Sequence, residues 1–88
     1  MKESWREMIL EEMVYHSDDW NNIVSTTLTD EHADIKFDAS SGYSTEGCPF
    51  TVWTADRVYF PVGFDGAEWC ESVARNPDGK PTEHLGSS

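Results

Sequence analysis

Basic residues are scarce in this 88-residue chain: six Lys and Arg stand against seventeen Asp and Glu, which leaves a formal net charge of -11. Six scattered bases cannot form the positive stripe that binds nucleic acid, and a strongly negative surface is repelled by anionic membranes. No apolar run approaches the roughly 18 residues of a membrane span. The N-terminus, with Glu3, Trp5 and Glu7, lacks the order of a signal peptide. We therefore expect a cytosolic protein that binds neither nucleic acid nor a membrane directly.

Motifs of catalysis and metal binding are also missing. No phosphate-loop, dinucleotide or nucleophile-elbow pattern occurs. The side chains that could bind a soft metal contain no pair at zinc-ligand spacing; they are His16, His32, His84, Cys48 and Cys70. Neighbouring acids arise from composition alone in so acidic a chain, and nothing marks one carboxyl as desolvated and aimed at a substrate. We expect no enzymatic activity, no metal and no cofactor.

Aromatic side chains, by contrast, are plentiful: the chain has four Trp, three Tyr and four Phe. It therefore carries the bulky apolar groups that a disordered acidic tail would lack. We expect residues 1–88 to form a single domain with one modest core. A binding protein needs only a rigid outer face, whereas an enzyme also needs a sheltered pocket, so the small size favours binding. In a reducing cytosol, Cys48 and Cys70 are most simply buried, reduced thiols.

The N-terminal segment predicts an amphipathic helix over about 4–16. Ser4 and Glu7 fit a capping box, in which each side chain satisfies the other residue's amide. Apolar residues recur at helical spacing on one side: Trp5, Met8, Ile9, Met13 and, with less apolar character, His16. Acids occupy the other side, at Glu3, Glu7 and Glu11. Glu12 lies nearer the apolar arc, where it either flanks the core or faces a partner.

Residues 20–37 allow both helix and strand. The β-branched residues between Ile23 and Thr27 favour a strand at about 22–28. Asp18 and Asp19 could instead open a helical turn before it. Thr29 is a plausible N-cap for a short helix over about 30–37, with a strand as the competing interpretation.

The second half of the chain predicts an antiparallel meander over 50–75, preceded by a loop at 38–49. Turns at Ala55-Asp56 and Asp65-Gly66 separate three aromatic and β-branched runs. Pro61 cannot donate a ladder hydrogen bond and is expected at an edge or bulge. Residues 76–88 are expected to form a loose tail. The predicted fold is α+β, with the N-terminal helix packed on three or four strands whose aromatics, Trp53, Tyr59, Phe60 and Trp69, fill the core.

The acids are concentrated in the first half of the chain. Residues 1–47 hold eleven acids and three bases, a balance of -8, and residues 48–88 hold six and three, a balance of -3. On a helix, carboxylates four residues apart lie about 6 Å apart, close to the spacing of phosphates along one DNA strand. The acidic contact candidates are Glu7, Glu11, Asp18, Asp19, Asp30, Glu31 and Asp34. Tyr43 and Phe64, in predicted loop or turn positions, are the candidate exposed anchors.

In size, acidity and lack of catalytic motifs, the chain resembles small phage-encoded inhibitors of host defence. These include anti-CRISPR proteins, anti-restriction DNA mimics and uracil-DNA glycosylase inhibitors. The resemblance implies a nucleic-acid mimic in the host bacterial cytoplasm. Its partner would be a basic nucleic-acid-binding cleft on a CRISPR effector complex or another DNA-handling enzyme.

The alternative is a non-mimetic interaction module. It would dock by an aromatic sheet face or an edge strand, as a homodimer or as a subunit of a larger assembly.

Overall fold

The structure, a computed structural model that describes residues 2–40 and 46–85, combines helices with two antiparallel sheets. In chain order the elements are β1 (Lys2–Glu3), α1 (Trp5–Tyr15), a 3-10 helix (Trp20–Asn22), β2 (Ile23–Thr26), α2 (Asp30–Asp34), β3 (Phe37–Asp38), β4 (Val52–Thr54), β5 (Arg57–Phe64) and β6 (Ala67–Ala74). β1 pairs with β3, and the larger sheet has the order β2-β4-β5-β6. The predicted α+β fold, with the N-terminal helix on an antiparallel sheet, is confirmed.

The capping box sets the start of α1. The Ser4 hydroxyl accepts a hydrogen bond from the Glu7 amide at 3.3 Å, and the Glu7 carboxylate accepts one from the Ser4 amide at 3.3 Å. Because the N-cap backbone is extended, the preceding Glu3 lies in β1 opposite Phe37. The expected acidic row of Glu3, Glu7 and Glu11 along one helix is therefore wrong at its first member.

Residues 20–37 contain both of the structures that their sequence allows. Asp19 caps the 3-10 helix by accepting from the Asn21 amide at 3.1 Å, and β2 follows it directly. Thr29 caps α2 through the His32 amide. This helix is shorter than the predicted 30–37, because Ile35 is already extended and Phe37 pairs with Glu3. The predicted loop at 38–49 correspondingly begins inside β3.

β5 and β6 form a long hairpin whose turn is dictated by local sequence. Asp65 and Gly66 both have positive φ, at 52° and 84°, as required by the hairpin turns that match the twist of paired strands. The two strands pair along all eight residues. Pro61 pairs with Cys70 of β6. On its other side it has no partner in β4, because the pairing of β4 with β5 ends at Tyr59, so Pro61 lies at an edge of the sheet as expected.

The larger sheet has one covered face and one open face. Its covered sheet face is buried and consists of Val52, Thr54, Tyr59, Glu68, Cys70 and Ser72. The buried side of α1 completes this core with Trp5, Met8, Ile9 and Met13. The Trp5 ring lies 5.1 Å from Phe37 and 4.8 Å from Phe50, centroid to centroid.

The opposite side of the sheet corrects one prediction. Of the four strand aromatics expected in the core, only Tyr59 is there, with no exposed surface. Trp53, Phe60 and Trp69 alternate with the core residues along their strands, and each is partly exposed. The reason is that the helices described lie on the other side, so nothing in the described chain covers these rings fully.

None of the helices described is long and apolar enough to cross a membrane. Residues 76–85 contain neither helix nor strand and are exposed.

Candidate functional site

The exposed carboxylates of α1 and α2 form what we call the helical face: Glu7, Glu11, Asp30, Glu31 and Asp34. Two bases connect its helices. The Arg6 guanidinium lies 2.6 Å from Asp34 and 3.6 Å from Asp30. Lys36 pairs with Glu7. The structure thus brings Glu7, Asp30 and Asp34 together, as the sequence analysis required of a shared contact surface.

Two of these ion pairs lower the pKa of a carboxyl group of the helical face. The Lys36 ammonium, helped by the Ser4 hydroxyl, holds the pKa of Glu7 below its usual range. The Arg6 guanidinium does the same for the pKa of Asp34. Both carboxylates remain well exposed, and the Asp30 side chain is 96% exposed. At neutral pH Glu7 and Asp34 therefore present negative charge to solvent even though bases lie beside them.

Glu11 and Glu31 are the least encumbered carboxylates of the helical face. Both are exposed, and neither forms a hydrogen bond or ion pair with another residue of 2–40 or 46–85. Asp19 is exposed too, but it caps the 3-10 helix. Glu11 and Glu31 are thus the acids most able to accept bonds from a partner.

Asp18 does not belong with these surface acids. Its carboxylate accepts hydrogen bonds from the Thr54 hydroxyl and the Tyr59 hydroxyl, both at 2.7 Å, and from the Asn22 amide at 3.0 Å. Burial alone would raise the pKa of Asp18, but these bonds outweigh it and the pKa lies below its ordinary value. Asp18 therefore joins the helix end to β4 and β5, a structural role beside its predicted role as a contact residue.

The two candidate aromatic anchors have different outcomes. Phe64, at the end of β5, is 50% exposed. Tyr43 lies outside the described residues.

Phe64 belongs to a larger surface, the open sheet face, whose residues alternate with those of the core. We define this face as Ser25, Trp53, Val58, Phe60, Val62, Phe64, Ala67, Trp69, Glu71 and Val73. Its one charged member is Glu71, directly opposite Phe60. The Trp69 indole N–H donates to Glu71 Oε2 at 2.7 Å. The sequence analysis named an aromatic sheet face as the alternative docking surface but placed Trp53, Phe60 and Trp69 in the core, because alternation shows that a strand has two faces but not which one the helix covers.

A groove of about 990 Å³ runs between the end of α1, the end of β6 and the C-terminal segment. On its wall, Glu12 Oε2 accepts from the Ser72 hydroxyl at 2.8 Å and lies 2.9 Å from His16 Nε2. Arg57 donates to the Ser72 hydroxyl oxygen at 2.8 Å. Glu12 therefore flanks the core, which resolves its two alternatives.

The order of these groups does not match nucleophilic catalysis. In a catalytic triad the imidazole lies between the hydroxyl and the carboxylate, whereas here the carboxylate of Glu12 lies between Ser72 and His16. The nearby thiol of Cys70 is no better a nucleophile, since burial, helped by the charge of Glu12, raises its pKa. Both cysteines are free thiols; Cys70 is buried and Cys48 partly buried.

Glu68 is a buried carboxylate that the sequence analysis did not single out. It is 7% exposed and accepts hydrogen bonds from the amides of Glu46 at 2.7 Å and Gly47 at 3.0 Å. Its own amide donates to Ala39 at 2.7 Å. Its burial could have been suspected from its spacing, because Glu68 lies at the same alternate strand positions as the buried Cys70 and Ser72. Its role is to hold the chain before and after residues 41–45 to the start of β6.

Among the described residues, no group of three or more His, Cys, Asp or Glu side chains converges as a metal site. Comparisons of the chain with protein-family models, curated proteins and solved structures find no match.

Proposed function

We propose that this protein is an acidic inhibitor that occupies the basic nucleic-acid-binding cleft of another protein, with a host-defence complex as the expected target. The observation that supports it best is the helical face, where carboxylates from two packed helices are exposed and two of them, Glu7 and Asp34, have pKa values lowered by ion pairs. The whole chain carries a formal net charge of -11, which adds to the negative potential of this face.

The chemistry is substitution of carboxylate for phosphate. Lys and Arg side chains that grip a nucleic-acid backbone form equally good charge-assisted hydrogen bonds with carboxylates. The field of the whole chain draws a basic cleft toward it and speeds association at low salt. In this proposal Glu11 and Glu31, and the highly exposed Asp30, make the first contacts, and Glu7 and Asp34 contribute if a partner's Arg or Lys displaces their internal bases.

The test is capture from bacterial lysate on the immobilised chain, eluted first with salt and then with added DNA. Two double variants of equal net charge are compared: Glu11→Gln with Glu31→Gln on the helical face, and Asp56→Asn with Glu83→Gln away from it. We expect DNA-handling proteins to elute with salt or DNA, and only the first variant to lose them. Equal retention by both variants, or capture indifferent to salt and DNA, would contradict the proposal.

A second candidate function is a docking module that binds a protein partner through the open sheet face. The observation that favours it is the partial exposure of Trp53, Phe60 and Trp69 on one side of the sheet. In that case affinity survives high salt and falls when Trp69 is replaced by Ala, while the helical-face variant binds normally.

A further inference from the structure

The open sheet face carries its single carboxylate on the edge strand β6, next to apolar side chains and at the border of the groove described above. Glu71 lies opposite Phe60, and its neighbours on the same face of β6 are Trp69 and Val73. Within the described chain this carboxylate accepts one side-chain hydrogen bond, from Trp69. A carboxylate has about four acceptor positions. Glu71 is therefore a partly buried negative charge with unused acceptor capacity, flanked by two aromatic rings.

The chain already contains this combination with a cation in place. On the helical side, the Arg6 guanidinium lies 4.6 Å from the centre of the Trp20 ring and 2.6 Å from the Asp34 carboxylate. A planar guanidinium can stack on an aromatic face and bond a carboxylate at the same time. Trp69, Phe60 and Glu71 place the same groups together on the open sheet face, and no Lys or Arg of the described residues forms a salt bridge with Glu71.

Charge also selects between possible occupants of this face. A second copy of the chain would bring a further charge of -11 and, across a twofold axis, would set its Glu71 against an apolar or acidic surface. Burying an unpaired carboxylate is costly. A partner that presents a cation within an apolar patch satisfies Glu71 and buries the rings together.

We propose that the open sheet face docks a basic protein partner by receiving an arginine side chain at Glu71, against the rings of Trp69 and Phe60. This inference rests on the second candidate function and is independent of the helical face. Arginine is preferred over lysine because only the guanidinium combines planar stacking with paired hydrogen bonds to one carboxylate.

The experiment uses the full chain, 15N-labelled, titrated with a blocked tetra-arginine peptide at physiological ionic strength. The indole N–H resonances are followed after assignment with single Trp→Phe variants. Glu71→Gln is compared with Glu11→Gln, which removes the same charge from the helical face. Gln keeps an acceptor oxygen for the Trp69 indole, and matched thermal unfolding midpoints verify that both variants fold.

We expect saturable shifts of the Trp69 indole, a roughly tenfold weaker affinity in Glu71→Gln, and less than a twofold change in Glu11→Gln. A blocked tetra-lysine peptide binds more weakly than tetra-arginine. Equal weakening by the two variants shows attraction by net charge alone and overturns the inference. Self-association of the wild-type chain that Glu71→Gln strengthens assigns the face to a second copy and overturns it as well.

If Glu71→Gln does not fold, Trp69→Phe provides the second variant, because it keeps a ring and loses the indole donor that orients the carboxylate. It should weaken tetra-arginine binding measured by calorimetry. Unchanged affinity would overturn the inference. Failure of the decoy proposal appears separately, as normal target capture by the Glu11→Gln, Glu31→Gln variant.

Discussion

The covered and open faces of the larger sheet are built from alternate residues of the same strands, yet they differ in solvent exposure. Tyr59 has no exposed surface, while its neighbours Val58 and Phe60 are partly exposed. The open face has four aromatic residues and the covered face has only Tyr59, so aromatic content does not decide which face is buried; the position of α1 does. Apolar composition therefore identifies a strand that can be buried, whereas the placement of the one long helix decides which side is buried.

The carboxylates near the two faces differ in the same way. Asp18 and Glu68, on the covered side, are satisfied by donors from distant parts of the chain. Glu71, on the open side, accepts a side-chain hydrogen bond from one donor among the residues described, Trp69 of its own strand. The covered side uses acids to hold structure together, and the open side leaves acceptor capacity for something else.

Replacing one tryptophan on each side gives the largest expected contrast. Trp5 is 1% exposed and contacts Phe37 and Phe50, so Trp5→Ala should cost roughly 3–5 kcal/mol. This is a large share of the stability of a small domain. Trp69→Ala should cost about 1 kcal/mol or less. Urea unfolding followed by far-UV circular dichroism measures both, and similar costs would show that the open face is part of the core.

Glycine replacements provide a finer version of the same contrast. A Cβ on Gly47 would lie 2.6 Å from Trp5 Cζ2 and 2.7 Å from Phe37 Cζ, so Gly47→Ala should destabilise the fold by roughly 1–3 kcal/mol. A Cβ on Gly63 would meet only the Ala67 carbonyl oxygen, at 3.7 Å, and Gly63→Ala should change stability by less than about 0.5 kcal/mol. Thermal unfolding of the pair tests this, and a neutral Gly47→Ala would contradict the packing described.

The covered side should also respond to acid through Asp18. Its folded-state pKa lies below the ordinary value, so its hydrogen bonds stabilise the fold above about pH 4 and are lost as pH falls through the folded pKa. Asp18→Asn should therefore cost roughly 1–2 kcal/mol at neutral pH. The difference from wild type should shrink below pH 4. Urea unfolding midpoints of both proteins at several pH values measure this difference. If the difference does not change with pH, ionisation of Asp18 does not contribute to stability.

Arg6→Gln should have the smallest effect. It removes the pairs with Asp30 and Asp34 and the stacking on Trp20, but exposed ion pairs contribute about 1 kcal/mol at most and are screened by salt. We expect a loss below about 1 kcal/mol that declines as salt is added. Urea unfolding of wild type and Arg6→Gln at low and at high salt measures this loss of stability. A larger loss that does not change with salt would place Arg6 among the core contacts.

Local features of the fold were predictable from sequence, and contacts between distant segments were not. Ser4 and Glu7 determine the start of α1 within four residues, and Asp65-Gly66 forms its turn by its own backbone preferences. Glu3 lies in a strand because Phe37 pairs with it, which no periodicity near Glu3 reveals.

The candidate site follows the same division. The exposed acids of α1 and α2 were identified from charge and helical spacing alone. The structural role of Asp18 was not predictable, because its partners Thr54 and Tyr59 lie 36 and 41 residues away. An aromatic sheet face was expected as an alternative docking surface, but its residues could not be named, because their exposure depends on where α1 packs.

Residues of α1 contact residues that lie far along the sequence, and this has a consequence for synthesis of the chain. The helix carries its own cap, so its backbone hydrogen bonds need no other segment. Its side-chain partners come much later: the indole of Trp5 donates to Cys48, 43 residues on, and Glu12 accepts from Ser72, 60 residues on. Contacts of such separation slow folding and leave apolar surface uncovered until they form. On the ribosome, the apolar side of the first helix therefore waits for the last strand, and nascent chains stalled before β6 are the ones that should recruit chaperones.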